Sequence, residues 1–315
     1  MLHLRLIVPP DMTDAVVERL SGSPGVAHIV RLPAAAVRPP GDVVTCEVAR
    51  EAANDVVEWL QAQGLHHDGA IVVEAVDAVV SDAAAAAEVR APGHEGDALV
   101  WEELESRART ESVLTVSFLA FMAVAAVIAA VGILLDSPVL IIGAMVVGPE
   151  YGPLAALCVA LVRRRRDPAG SALLTLATGL VVAALAALVA TALFRLTDLA
   201  ADAYSLGDRE LTAFIAHPDG LAIVVAVLAG VVGMLSLTEA RSGALVGVLV
   251  SVTTIPAAAN VGVAAAYGEW GEVGGAALQL ALNVASLVTA GVVTLAVQSR
   301  ATTHDHDVFR PHRIP

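Results

Sequence analysis

Leu2, Leu4, Leu6 and Val8 alternate with His3, Arg5 and Ile7, the two-residue period of a strand with one buried face. Behind Asp11, which reads as a helix N-cap, Met12, Val16 and Leu20 recur every four residues on one helical face. After the turn residues at 21–25, the segment 26–32 reads as a second strand and the Pro/Ala stretch 33–41 as a loop. Residues 43–48 are β-like, 51–63 helical with Val56, Val57 and Leu60 on one side, and 70–76 β-like again. The order βαββαβ predicts a ferredoxin-like α+β domain over residues 1–77. Residues 78–96, rich in Ala, Asp, Glu, Pro and Gly, read as a flexible connector. Residues 98–111 read as a helix with Leu99, Val100 and Leu104 apolar and with Glu103/Arg107 and Glu105/Arg109 spaced for pairing one turn apart.

From residue 112 onward the pattern changes. Six apolar runs follow, at 112–135, 137–162, 171–194, 221–237, 242–266 and 273–298, each close to the ~20 residues that cross a hydrocarbon core. They predict an all-α six-span membrane domain over 112–299, with 78–111 as an acidic linker and juxtamembrane helix and 300–315 as a polar, disordered tail. Arg107 and Arg109, the cluster Arg163 to Arg166, Arg241, and Arg300 with Arg310 and Arg313 fall on alternate loops, which places those loops in the cytoplasm. Both termini are then cytoplasmic, in a multi-pass protein of the inner, cytoplasmic membrane. Arg195, at the opposite end of the third run, is the one dissenter. The opening residues carry His3, Arg5, Pro9 and Pro10 and do not form the apolar core of a signal peptide.

Composition agrees with that division and closes other routes. Of 315 residues, 57% are hydrophobic and 16% charged, with 32 acids against 18 basic residues, for a net charge of −14. Residues 1–111 hold 19 acids and 8 arginines, a net of −11, so no nucleic-acid partner working through a basic surface is expected. Every basic residue is Arg; the acid excess without Lys points to a salt-loving source, with a GC-rich genome as the alternative. Cys46 and Cys158 lie in segments of opposite character and form neither a disulfide scaffold nor a CxxC pair. Neither a Ser/His/Asp spacing nor a Walker loop, HExxH or GxSxG motif occurs. The sequence therefore predicts no enzyme and no cofactor. His66-His67-Asp68 reads as a solvated turn rather than a metal site, and His304-Asp305-His306 as part of the tail. The Arg163 to Arg166 run reads as a lipid-headgroup anchor.

The second run carries Gly148-Pro149 and Gly152-Pro153 near its middle. Proline removes a helix donor and clashes with the preceding turn, so the backbone from Gly148 to Pro153 is expected to unwind or kink, with its freed carbonyls facing a buried or wet cavity. The fifth run repeats the theme, with Gly247, the polar patch Ser251, Thr253 and Thr254, and then Pro256. Because the two runs cross in opposite directions, spans one to three and four to six read as a 3+3 inverted repeat with a midplane site. Gly148/Gly152 and Gly243/Gly247 are spaced for close helix contact, within or between subunits of a homo-oligomer.

The run Asp136-Ser-Pro-Val-Leu-Ile-Ile-Gly-Ala-Met-Val-Val-Gly-Pro-Glu-Tyr-Gly-Pro153, with the later Gly247 to Pro256 run and the cytoplasmic front end, resembles the prokaryotic domain of unknown function 389 family over most of residues 112–299. The resemblance implies an integral membrane protein and brings no substrate. Family members usually carry apolar residues at the positions of Glu150 and Tyr151, so it lends Glu150 no role either.

Glu150 stands out on physical grounds alone. A charge at bilayer depth costs at least ~2.5–3.5 kcal/mol, which unwound amides, a bound cation or a proton would offset. Gln279, Asn283 and Ser286 share a helix face, and Glu150, Thr253, Thr254, Asn260 and Asn283 together form an oxygen-rich set suited to a cation. The residues expected to line a pore or bind an ion are therefore Gly148, Pro149, Glu150, Gly152, Pro153, Ser251, Thr253, Thr254, Pro256, Asn260 and Asn283. The expected function is a channel or transporter for a small ion, a cation favoured, regulated or oligomerised by the cytoplasmic domain. The alternative is a membrane-anchored sensor or scaffold whose ferredoxin-like domain binds a ligand.

Overall fold

The computed structural model describes residues 1–76, 78–91, 100–199, 215, 220–238 and 254–308. The chain divides into two compact units, Met1–Leu104 with Val297–Pro315 and Glu105–Ala296.

The first unit is built on a four-stranded antiparallel sheet, β1 (Leu2–Val8), β2 (Val26–Val37), β3 (Pro40–Val48) and β4 (Ala70–Ala75), in the order β2-β3-β1-β4. Helices α1 (Thr13–Ser21) and α2 (Arg50–Ala62) follow β1 and β3. The alternation of β1 is realised: Leu2, Leu4, Leu6 and Val8 are fully buried against Val16, Leu20, Val56, Val57 and Leu60. The Cys46 thiol lies in that core, and burial pushes its pKa up to about 12, so it is an inert packing group.

Several expectations are corrected. Met12, not Asp11, stands at the N-cap of α1, and no side chain caps it. The stretch 33–41 is not a loop: β2 runs on to Val37 and turns directly into β3 at Pro40. A carboxylate explains this extension. Asp42 Oδ1 accepts from the Ala34 N–H at 2.8 Å while Arg31 reaches Asp42 at 2.9 Å and Asp14 at 2.7 Å, pinning a bulged strand to its neighbour. His66 and His67 lie in a one-turn helix, α3 (Leu65–Asp68). The expected connector holds a helix, α4 (Asp82–Arg90), capped by Ser81, whose hydroxyl accepts from Ala83 and Ala84. Ala84 and Ala87 pack with Met1, Ala27 and Ala49, contacts invisible to a reading based on large apolar residues.

The Ala34 N–H, and then Arg31, hold the Asp42 carboxyl below the usual carboxylate range. A group depressed in the fold contributes stability above its unfolded value, near pH ~4, and loses it as pH falls through its folded value. Hydrogen-exchange protection of β2 and β3 is therefore expected to be level above that point and to decline below it. In Asp42→Asn protection should be lower at neutral pH and lack this acid step; an identical acid step in the variant would refute the assignment.

Helix α5 (Trp101–Glu111) leads into the second unit. Longer-range pairs also form, for Glu103 bonds Arg50 at 2.9 Å and Glu105 bonds Arg163 at 2.9 Å. The second unit comprises α6 (Val116–Leu134), α7 (Pro138–Val147), α8 (Tyr151–Val162), α9 (Arg166–Leu196), α10 (Gly220–Thr238), α11 (Thr254–Tyr267) and α12 (Trp270–Val308), the last running past Ala296. Among the described residues four helices, α6, α9, α10 and α12, are long and apolar enough to cross a membrane, and five spans result if the bent α7–α8 pair counts as one. The fifth expected run, 242–266, is described only from Thr254. The expected disordered tail is helical as far as Val308.

Helix α9 shows why this unit suits lipid. Ala172, Leu176, Gly179, Ala183, Ala187 and Thr191 form its buried stripe, while Val181, Leu185, Val189 and Leu193 are exposed on the other face. A helix apolar on both faces needs an apolar solvent. The region is that of a multi-pass membrane protein.

The helices end abruptly. Asp136, Arg164, Asp198 and Gly268 take positive φ, and in each case the next N–H bonds back to a carbonyl five residues earlier: Gly132, Ala160, Phe194 and Ala264. This Schellman closure satisfies carbonyls that lipid cannot.

Candidate functional site

The second apolar run is broken where its sequence says it should be. Helix α7 ends with Gly148, whose N–H bonds the Ala144 carbonyl and whose backbone is extended, and α8 sets off from Glu150 at 55° to it. Pro149 carries no N–H, so the Met145 carbonyl loses its helical donor. The second Gly-Pro pair does not extend the break. Gly152 and Pro153 lie in the first turn of α8, where N–H groups need no helical acceptor and proline fits.

Glu150 sits at this break, 1% exposed. Its Oε1 accepts from the Thr254 hydroxyl at 2.7 Å, while its Oε2 is buried without a partner among the described residues. The carboxylate makes no capping bond to α8. Gly148 exists to admit it: a Cβ there would stand 2.4 Å from Oε2 and 2.7 Å from Ile255 Cγ1. Pro256 is buried near the start of the described part of α11, and the residues before Thr254, where the mirrored break is expected, lie outside the described residues.

Of the oxygen-rich set, the structure joins Glu150 and Thr254. Asn260 is buried, six residues or about 9 Å farther along α11 at 1.5 Å per residue, and its Oδ1 has no partner among the described residues. Asn283 is buried on α12 and accepts from Gln279 at 3.1 Å, the four-residue pairing that the sequence indicates. Ser251 and Thr253, with Gly243 and Gly247, lie outside the described residues.

Three features escaped sequence reasoning. Tyr151 is buried, and its hydroxyl donates to the Gly233 carbonyl of α10 at 2.5 Å, tying the head of α8 to another helix. An isolated Tyr in an apolar run is the signal that could have found it. The arginine run is also committed internally, because Glu105 accepts from Arg163 at 2.9 Å and pairs with Arg165 at 3.4 Å. Finally, a cavity of about 430 Å³ opens beside the break, lined by Thr110, Glu111, Thr115, Gly148, Pro149 and Tyr151 among others. The glycine at 152 packs directly on the Glu111 backbone, where a Cβ would stand 2.5 Å from the carbonyl oxygen.

The depth of the site follows from helix geometry. The 14 residues of α11 rise about 20 Å from Thr254 to Tyr267, where the Arg195 guanidinium lies 4.4 Å over the Tyr267 ring and donates to the Ala266 carbonyl. Glu150, bonded to Thr254, thus stands about 20 Å from that end of α11.

This region, from the end of α7 into α12, also carries the match to known proteins. Residues 145–289 match the family described as domain of unknown function, DUF389. The DUF389 match takes in the break, Glu150, Thr254, Asn260 and Asn283, and begins nine residues after Asp136, where the resembling run starts. Neither a curated protein nor a solved structure matches the chain.

Proposed function

We propose that the protein is a channel or transporter for a small ion, a cation favoured, with Glu150 as its central binding group. The observation that carries this reading is a buried carboxylate with one neutral hydrogen-bond donor and an unpartnered oxygen, placed where a membrane helix is broken beside a cavity. No Arg or His pairs with it among the described residues, so a purely structural ion pair is not its role.

In this proposal the helical region has six spans arranged as a 3+3 inverted repeat, with both termini in the cytoplasm and the protein in the cytoplasmic membrane. The arginine distribution supports the orientation. Arg195, the dissenter, is engaged with Tyr267 and Ala266. The front end is read as a ferredoxin-like domain that regulates or oligomerises the membrane part, supported by its strand order and by the helices after β1 and β3.

The test is direct. Full-length protein reconstituted in liposomes is expected to dissipate an imposed gradient of at least one small cation faster than protein-free liposomes do. Equal rates for protons, sodium and potassium with and without protein would overturn transport.

A further inference from the structure

We propose that the ion is a proton, and that Glu150 carries it at Oε2. This rests on the transport reading and names its substrate.

The argument is one of ligand count. A bound metal cation replaces its hydration shell with several oxygens held at once; Ca²⁺ takes 6–8 and Mg²⁺ six in all. At Glu150 the described side-chain oxygens are the two of the carboxylate and the Thr254 hydroxyl, which spends its proton on Oε1. The side of Oε2 nearest the backbone is walled by Gly148 and Ile255, which offer carbon. The Tyr151 hydroxyl is turned to the Gly233 carbonyl, and Glu111 belongs to the cavity wall. These three side-chain oxygens, counted among the described residues, fall short of that number. A proton needs only one.

The rest of α11 points the same way. Beyond Glu150 the next unpartnered buried oxygen on that helix is Asn260 Oδ1, about 9 Å away. Thr191 Oγ1, also buried and unpartnered among the described residues, lies on α9 four residues past Ala187. Between these helices Gly262 fits against the Ala184 carbonyl, leaving no width for a hydrated metal ion. Single polar atoms spaced through close-packed alanine and glycine cannot strip a metal of its shell in stages.

The chemistry is balanced by water alone. A hydronium ion gives its proton to Oε2, which becomes a neutral carboxyl, and one water molecule remains. Release returns the proton to water and restores the carboxylate. Among the described residues the titratable groups that line the neighbouring cavity are Tyr151 and Glu111; Thr254 and Ile255 on α11 carry no charge.

The experiment uses full-length protein in liposomes under separate proton, sodium and potassium gradients, with Glu150→Gln and Glu150→Asp beside the native chain. Dissipation of the proton gradient alone is expected, lost in Glu150→Gln and slowed in Glu150→Asp with a displaced pH profile. Infrared difference spectra between acid and neutral pH should contain a protonated-carboxyl band that vanishes in Glu150→Gln and moves in Glu150→Asp. Sodium or potassium flux with the proton gradient intact overturns the proton assignment while leaving transport standing; absence of all three fluxes overturns transport itself. Undiminished proton flux in Glu150→Gln, or a spectrum unchanged by both variants, removes Glu150 as the carrier.

Discussion

Glu150→Ala is expected to lower ion flux by roughly tenfold or more, the factor that about 1.4 kcal/mol of lost site stabilisation produces. The same substitution should leave the melting temperature unchanged or raise it. An uncompensated carboxylate at bilayer depth is a cost of at least ~2.5–3.5 kcal/mol to the fold, against which its single bond from Thr254 returns about 1 kcal/mol. Function and stability thus move in opposite directions. A structural carboxylate would behave otherwise, with melting temperature and flux falling together. Parallel melts and flux assays on the same preparation separate the two cases.

Gly148→Ala is expected to act on the same site by a different route. The added methyl would stand 2.4 Å from Glu150 Oε2 and 2.7 Å from Ile255 Cγ1, so both side chains must give way and the Thr254 bond is strained or lost. Overpacking of this kind costs about 1–3 kcal/mol, and flux should fall with the melting temperature. Gly143→Ala is the control. A Cβ at Gly143 meets nothing within 4 Å, and replacing a glycine in the body of α7 should be neutral or stabilising by roughly 0.5–1 kcal/mol. Equal effects from the two substitutions would show that the close approach at Gly148 is not what organises the site.

What the amino acids disclosed follows from which physical terms are local. The alternation of β1, the helix at 50–62 and the break at Gly148-Pro149 are written in neighbouring residues, because period and missing N–H groups act over one or two turns. Pro153 shows the limit: the same dipeptide that breaks the chain at 148–149 is harmless four residues later, since its place in the first turn of α8 depends on where the helix starts. Helix α4 was hidden because its packing surface is alanine against alanine, with no large apolar residue to mark a face. The pairing of Glu105 with Arg163 and Arg165 joins residues 58 and 60 positions apart, and no spacing rule reaches so far when i,i+4 partners are on offer nearby. At the site, the sequence marked Glu150 and Thr254 as polar atoms in apolar runs. It could not rank Thr254 above Asn260 or Asn283, because contact between helices, not depth, decides that.

The arginine at the far end of α9 has a mechanical meaning beyond topology. By stacking on Tyr267 and binding the last turn of α11, Arg195 rivets two parallel helices at one extremity, while the glycine seam at residue 262 locks them backbone to backbone midway. In the proposed transporter this pair acts as one strut that carries Thr254, so at the break between α7 and α8 Glu150 meets a residue held by two helices.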